Sequence, residues 1–505
     1  MLTLIIFIPL LAALALLLVS KDDTRTIRNI SIGAAGLTFL LSLALLLRFD
    51  SAQLGMQFTE THAWVPMLHI NYQLGVDGIS LWLVVLTAFI SLIAVCFSLD
   101  RDVGFRNFMA LLLALEAGTL GVFVALDLIL FYVFWELMLV PTYFLIGIWG
   151  EGRRIYATTK FVLYTLVGSL FMLLGIIWLS LIHFEATHEL SFNIQTLVHM
   201  KIDPSTQVWL FLFFLSAFAI KIPIFPLHSW LPHAYISSPI PVLLILTGAM
   251  SKAGAYGIIR FCLPLFPDAV EKLGLLIAFG ATVGIVYGAW IAIAQRDLKA
   301  LVAYSSISHL GFIVLGIFAF NSEGIEGSIL QMVNHGIIAS ALFIIVGILE
   351  KKMGTRNLDD FRGLGKAMPL LYGIFMLITL AALGLPGLSG FVGEFLILLG
   401  VWTSLLLEDL SVIYVLMSGL AIIFAAIYML YMFQGAMQEK NEKIPEELSD
   451  INSKEFGLLL PACILVVFIG LYPKIFIDRV APSVESVLMV EKTINLDAGK
   501  GSNNH

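Results

Sequence analysis

Runs of about 20 apolar residues, the length of one bilayer crossing, recur fourteen times along this chain and leave it few possible folds. They fall near 2–20, 28–47, 78–99, 107–126, 128–149, 160–183, 208–227, 240–263, 273–294, 300–320, 327–349, 369–400, 411–433 and 456–476. The 369–400 run exceeds one crossing and is interrupted by "LGLPGLSG" at 383–390, so it reads as a single broken helix. In hydrocarbon every backbone polar group needs an internal partner, which leaves helices as the solution for runs of this kind. Of the 505 residues only 12% are charged, about half the roughly 25% of a soluble domain. The expectation is an all-α polytopic membrane protein of about 14 transmembrane helices. The first run has no basic leader and no small-x-small cleavage site, so it reads as the first span rather than a removable signal.

Basic residues orient these spans. Loops after odd-numbered spans hold Lys21, Arg25, Arg28, Arg101, Arg106, Arg153, Arg154, Lys299, Lys351, Arg356, Arg362, Lys440 and Lys443, among others. The intervening loops hold only Arg48, Lys201 and Lys272, with Arg260 at a span end. The positive-inside rule puts the first set in the cytoplasm, and fourteen spans then leave both termini on the outer side. The net charge of −7 says little beside this distribution. Cys96, Cys262 and Cys463 lie far apart in apolar surroundings, with neither metal-ligand nor disulfide spacing. With no phosphate loop, CxxC pair or dinucleotide fingerprint, the chain is expected to hold no metal, flavin, iron–sulfur cluster or nicotinamide site, and nothing suggests nucleic-acid binding.

Once loop charges are set aside, Glu116, Glu136, Lys221, Lys252, His309, His335 and Glu394 remain inside spans. An intramembrane Lys or acid costs about 2.5–3.5 kcal/mol even on the lenient insertion scale, so it persists where it pairs or lines a hydrated interior. For Glu116 a purely structural pairing explains the residue as well as a functional role does. For His309 the competing explanation is a hydrogen-bonded helix contact. Lys221, Lys252 and Glu136 have long apolar flanks that hinder snorkelling, and acids and bases in neighbouring spans are what a proton relay needs. Burial disfavours the charged form of each partner and proximity restores it, so an acid–lysine pair is a switch that geometry can operate.

Prolines then mark where helices break. In "AIKIPIFPLHSWLP" (219–232) Pro223 and Pro226 interrupt the seventh span beside Lys221 and His228. Five spans later "LGLPGLSGFVGE" breaks the twelfth just before Glu394. Matching interruptions five spans apart suggest two inverted five-helix repeats, spans 4–8 (107–263) and 9–13 (273–433). They would be flanked by N-terminal helices (1–106), helix 14 (456–476) and a tail (480–505). Two unrelated kinks are the alternative.

The stretches "FYVFWELMLVPTYFLIGIWG" (131–150), "AIKIPIFPLHSWLP", "SKAGAYGIIRF" (251–261), "AYSSISHLGF" (303–312) and "LPGLSGFVGEF" (385–395) resemble the antiporter-like, proton-pumping subunits of respiratory complex I (NADH–quinone oxidoreductase). The resemblance runs from about residue 75 to 435. Glu394, where related subunits of the L and N types place a lysine, points to the M type, the counterpart of mitochondrial chain 4. The resemblance implies a coupled Glu136–Lys221 pair in a first half-channel and a central relay lysine at Lys252. It also implies a His309/His335 bridge, Glu394 in a second half-channel, and His228 near the cytoplasmic end of the broken helix. It implies L-type and N-type partner subunits in a bacterial inner membrane, with FMN, iron–sulfur clusters and the quinone site carried by other subunits. The chain departs from the family pattern where His233, Tyr235 and Ser238-Pro239-Ile240 replace an acid, Ala-His and an Ala-Pro-Thr-like turn. The leading reading is a proton-translocating subunit driven by quinone reduction elsewhere. The competing one is a subunit of a cation/proton antiporter, and a structural scaffold fits poorly with so many intramembrane charges.

Overall fold

The structure, a computed structural model, describes residues 1–361, 363–438 and 448–501, with side chains described to residue 489. Arg362, Lys440 and Lys443 lie outside the described residues. The helices are α1 (Leu2–Leu18), α2 (Thr24–Arg48), α3 (Gly78–Phe97), α4 (Phe105–Val124), α5 (Leu128–Trp149), α6 (Arg154–Thr187) and α7 (Pro204–Lys221), then α8 (Trp230–Ser237). They continue with α9 (Ile240–Leu265), α10 (Pro267–Ile293), α11 (Leu298–Phe318), α12 (Ser322–Met353), α13 (Pro369–Ala382), α14 (Ser389–Trp402), α15 (Ser411–Met437), α16 (Ser453–Leu471) and α17 (Lys474–Gly501). Twelve helices among the described residues are long and apolar enough to cross a membrane. Three shorter apolar helices, α1, α13 and α14, stand where the sequence expects its first span and the two arms of its broken twelfth.

Helix starts follow local chemistry. Asp77, Asp127, Asp203, Asp297 and Asn452 each accept backbone N–H groups at the start of a helix, satisfying donors that have no intrahelical partner. The α9 helix contains two π-helical turns, Leu246–Met250 and Ile258–Cys262, a geometry that is rare and frequent at functional sites where it occurs. Contacts between loops sort into two faces. Glu151, Lys299 and Arg356 meet on one, as do Asp100 and Lys454. Arg260 and Asp77, Gln207 and Asp268, and the N-terminal ammonium and Glu60 meet on the other. The first is the face to which the sequence assigns its excess of basic residues.

Two features depart from the sequence reading. Between α2 and α3, strands β1 (Gln57–Val65) and β2 (Ile70–Val76) pair antiparallel, with Glu60 opposite Leu74 and His62 opposite Tyr72. This hairpin makes the chain less than purely helical. It lay hidden because nine residues of β1 sequence are too short and too polar to register in a search for apolar runs. Its Glu60 accepts hydrogen bonds from the N–H groups of Leu2 (2.9 Å) and Thr3 (3.1 Å), placing a carboxylate at the N-terminus of α1, where the helix dipole favours it. The helix expected over 456–476 runs Ser453–Leu471, and a further helix, α17, occupies the stretch read as a tail from 480.

Candidate functional site

Both helix breaks come from residues that cannot continue a helix and from partners that absorb the freed backbone groups. The α7 helix stops at Lys221, after which Pro223 and Pro226 supply no N–H. Ile224 N reaches back to Ala219 O (2.8 Å), and the indole Nε1 of Trp230 donates to the Ile220 carbonyl (2.8 Å). Between α13 and α14, Gly384 takes φ +77°, a conformation other residues adopt at a cost. A Cβ there would lie 3.1 Å from Glu394 Oε2, so this turn also brings the backbone close to the carboxylate.

Four of the intramembrane residues form a connected row. Lys252 on α9 is fully buried. Its Nζ lies 2.7 Å from Nδ1 of His335 on α12, donates to the Thr247 carbonyl and lies 3.4 Å from Ser251 Oγ. The His335 ring stands 5.7 Å, centroid to centroid, from that of His309 on α11. His309 Nδ1 lies 3.0 Å from Glu394 Oε1 on α14. Four helices thus contribute one side chain each to a base–imidazole–imidazole–carboxylate row that is in hydrogen-bonding distance at its two ends and joined in the middle by ring contact alone, with His335 Nε2 lacking a hydrogen-bond partner.

The other expected residues stand apart from it. Lys221 is 1% exposed, with its Nζ over the rings of Trp135 (5.0 Å) and Phe161 (5.7 Å), a cation–π seating. Glu136 adjoins Trp135 on α5, yet its Oε1 is buried without a hydrogen-bond partner, and no ion pair within 4.0 Å joins it to Lys221 among the described residues. Neither of the two hydrogen-bonds Lys252. Glu116 is buried on α4 with both carboxylate oxygens unpartnered and does not join the row. His228 stacks on Phe225 (5.2 Å) and meets Tyr287 edge-on (4.9 Å), its Nδ1 unpartnered. At the unusual 233–240 segment, His233 packs against Tyr156 (5.2 Å), the buried Tyr235 approaches the Leu246 carbonyl (3.5 Å), and Ser237 O accepts from Glu151 N (2.8 Å).

Several polar residues near this row escaped the sequence reading. Gln331 Nε2 donates to Glu394 Oε1 (3.2 Å), and Asn334 Nδ2 donates to the Ser389 carbonyl across the helix break (2.7 Å). Their signal was present: "QMVNH" is a polar interruption in an apolar helix, and 331 and 335 share one face at i, i+4 spacing. Lys299, read as a loop cation, is 0% exposed and lies 3.1 Å from Glu151 and 3.3 Å from Glu350. Arg260, read as a span-end cation, is an inner partner of Asp77 at 2.6 Å. Among the described residues no group of His, Cys, Asp or Glu could hold a metal ion.

Such a row can pass protons between groups fixed in place, and known proteins share its frame. The membrane family described as NADH:quinone oxidoreductase/Mrp antiporter matches residues 125–423. NADH-quinone oxidoreductase subunit M of Rhodobacter capsulatus is 38% identical over 96% of this chain and 95% of its own length. NADH-ubiquinone oxidoreductase chain 4 of Arabidopsis thaliana is 38% identical over 96% of each. Among solved structures, a chain of respiratory complex I from Thermus thermophilus with bound NADH superposes with a TM-score of 0.87 at 31% identity, covering 97% of this chain and 99% of that one. A chain of the Mrp complex from Dietzia (TM-score 0.83, 21% identity) shares the fold. The relatives match well beyond the 75–435 stretch that carried the resemblance, and this chain belongs to the subunit M/chain 4 family of NADH–quinone oxidoreductases.

Proposed function

We propose that the chain is a proton-translocating membrane subunit of a NADH–quinone oxidoreductase, with the redox centres (FMN, iron–sulfur clusters and the quinone site) in partner subunits. The observation that carries this is the contiguous row Lys252–His335–His309–Glu394. Each member can hold or release a proton, and each adjoins the next within hydrogen-bonding or ring-contact distance. Lysines along such a route repel a bare metal cation but relay a proton. In this reading Glu136 and Lys221 form the first half-channel's switch, with His228 and Glu116 as auxiliary groups. Glu394 serves the second half-channel. Fourteen spans, arranged as two inverted five-helix repeats around the breaks at 222–229 and 383–388, supply the frame. The basic face lies in the cytoplasm of a bacterial inner membrane by the positive-inside rule, which puts both termini outside. The flanking partners are the L-type and N-type antiporter-like subunits.

The test is paired rates in sealed inverted vesicles holding the whole complex: NADH–quinone electron transfer and pH-gradient formation. Glu394→Gln keeps shape and hydrogen bonding but removes a proton-accepting charge, and Glu136→Gln does the same for the first pair. Each is expected to assemble and to lower the pumping rate about 100-fold or more, the lower end of what a positioned acid–base group contributes. Assembled complexes with both rates at wild type would leave these carboxylates structural and the relay wrong. A cation/proton antiporter subunit is the competing reading; it predicts gradient formation uncoupled from NADH oxidation.

A further inference from the structure

Three side-chain amides of α12 and its N-cap reach across to α14. Asn321, the N-cap of α12, donates from Nδ2 to the Gly400 carbonyl (2.7 Å). Gln331 donates from Nε2 to Glu394 Oε1 (3.2 Å), and Asn334 donates from Nδ2 to the Ser389 carbonyl (2.7 Å). The two helices run antiparallel, so these rungs meet α14 in reverse order. Glycines bring the backbones this close: a Cβ on Gly327 would stand 2.8 Å from Ile397 N, and one on Gly400 2.4 Å from Gly324 N. The outer rungs end on backbone carbonyls and set the depth of α14. The middle rung alone ends on a titratable side chain.

Glu394 is buried, but its side chain turns about several bonds, so burial alone does not aim it. Its Oε1 lies 3.0 Å from His309 Nδ1 and also accepts from Gln331 Nε2. An ionised carboxylate is acceptor-only, so the amide turns its nitrogen toward Glu394 and its oxygen away. That oxygen is buried without a partner, and a Cβ on Gly393 would stand 2.4 Å from it. A buried acceptor left unmade is costly and calls for an explanation. An apolar side chain of the same length would fill the space without that cost. What the amide supplies in return is a donor on the carboxylate.

We infer that Gln331 is a positioning residue of the relay: it holds the Glu394 carboxylate aimed at His309 and slackens its hold once the proton arrives. A hydrogen bond to a charged group is roughly twice as strong as one between neutral groups. The carboxylate is therefore held firmly while it waits as an acceptor. In the step itself a doubly protonated His309 gives its Nδ1 proton to Glu394 Oε1, which leaves a neutral ring and a neutral carboxylic acid. Gln331 then faces a weaker acceptor, and the acid is free to turn away from His309. Asn321 and Asn334, bonded to the backbone of α14, hold that helix throughout, so the movement falls to the side chain.

This inference rests on Glu394 being part of the relay, so the experiment includes Glu394→Gln. Complete complexes in inverted vesicles, with assembly measured on native gels, are compared for NADH-driven pH-gradient formation. Gln331→Met keeps the length and loses the donor; Gln331→Asn keeps the donor and withdraws it by one methylene. Each is expected to assemble and to pump about ten-fold more slowly, the factor for a hydrogen bond to a charged group at the low end of its usual strength. Glu394→Asp withdraws the carboxylate from the same bond, so adding either Gln331 change to it is expected to cost nothing further. Wild-type pumping in Gln331→Met would mean that the side chain only fills space, and in Gln331→Asn that any amide suffices; either result overturns the role. So does a further loss of that size on top of Glu394→Asp, which would show Gln331 acting independently of the carboxylate. If one Gln331 variant fails to assemble the other decides, and failure of both makes Gln331 structural and overturns the role as well. Glu394→Gln impaired with both Gln331 variants normal removes the positioning and keeps the relay. Glu394→Gln at the wild-type rate removes both.

Discussion

The Asp77–Arg260 pair holds α9, and with it Lys252, against the start of α3, and its two halves are expected to be unequal. Arg260 Nη2 donates to Asp77 Oδ1 at 2.6 Å, and both side chains are less than a tenth exposed. The same Oδ1 accepts the N–H groups of Ile79 (3.1 Å) and Ser80 (3.0 Å). Asp77→Asn keeps a good N-cap but leaves a buried guanidinium that cannot shed its proton, at about 3–5 kcal/mol. Arg260→Met leaves a carboxylate that still has its two backbone donors, so the loss is nearer about 1–3 kcal/mol. The double variant removes both charges and should cost less than the sum, with a coupling of about 2–3 kcal/mol. For 505 residues at an unfolding entropy of about 2.1 cal/mol/K per residue, each kcal/mol moves the midpoint by about 1 °C. Thermal unfolding of the four forms in one detergent at one protein concentration measures this. If Arg260→Met is as damaging as Asp77→Asn, or the two effects simply add, the asymmetry argued from the shared Oδ1 is wrong.

Other predictions follow from single contacts. Gly384→Ala places a Cβ 3.1 Å from Glu394 Oε2 at φ +77°, a backbone cost of about 1–2 kcal/mol; it should lower pumping in vesicles more than it lowers the amount of assembled complex. Trp230→Phe keeps the ring packing but strands the Ile220 carbonyl, which should cost about 1–3 kcal/mol and appear as faster amide exchange through residues 219–224. Burial pushes the Glu60 carboxyl up, but hydrogen bonds from the N-terminal ammonium and from Thr3 push it down harder, leaving it below its ordinary value. With the folded value lowered, the hairpin–α1 clasp stabilises fully above the unfolded carboxylate range of about 4.3 and is lost as pH falls through the folded value. Amide exchange at Leu2 and Thr3, followed from neutral to acid pH, should show that loss, and Glu60→Gln should lack the pH dependence.

How much could be read in advance depends on whether the signal was local. Apolar runs, Pro223 and Pro226, and Gly384 act through the backbone of their own segment, so the spans and both breaks were visible in the sequence. Lys252, His309, His335 and Glu394 were visible as misplaced charge, because hydrocarbon makes any such residue conspicuous. Lys299 and Arg260 were misjudged for the same local reason: a cation near a span end looks solvated until a carboxylate from elsewhere in the chain closes over it. The β1–β2 hairpin was missed because its strands are short and polar and gain stability by pairing and by capping α1.

What the sequence by itself determined was therefore a bundle of membrane helices, its two interruptions and the set of ionisable side chains left inside it, since the free energy of each segment in hydrocarbon is set mainly by its own composition. Which of those side chains meet was decided by tertiary structure alone. Lys252 and His335 are 83 residues apart and stand 2.7 Å apart, while Glu136 and Lys221, equally suggestive in sequence, form no direct ion pair. Partner choice depends on the rotation and depth of packed helices to within an ångström, and glycines such as Gly248 set that approach through contacts made by distant parts of the chain.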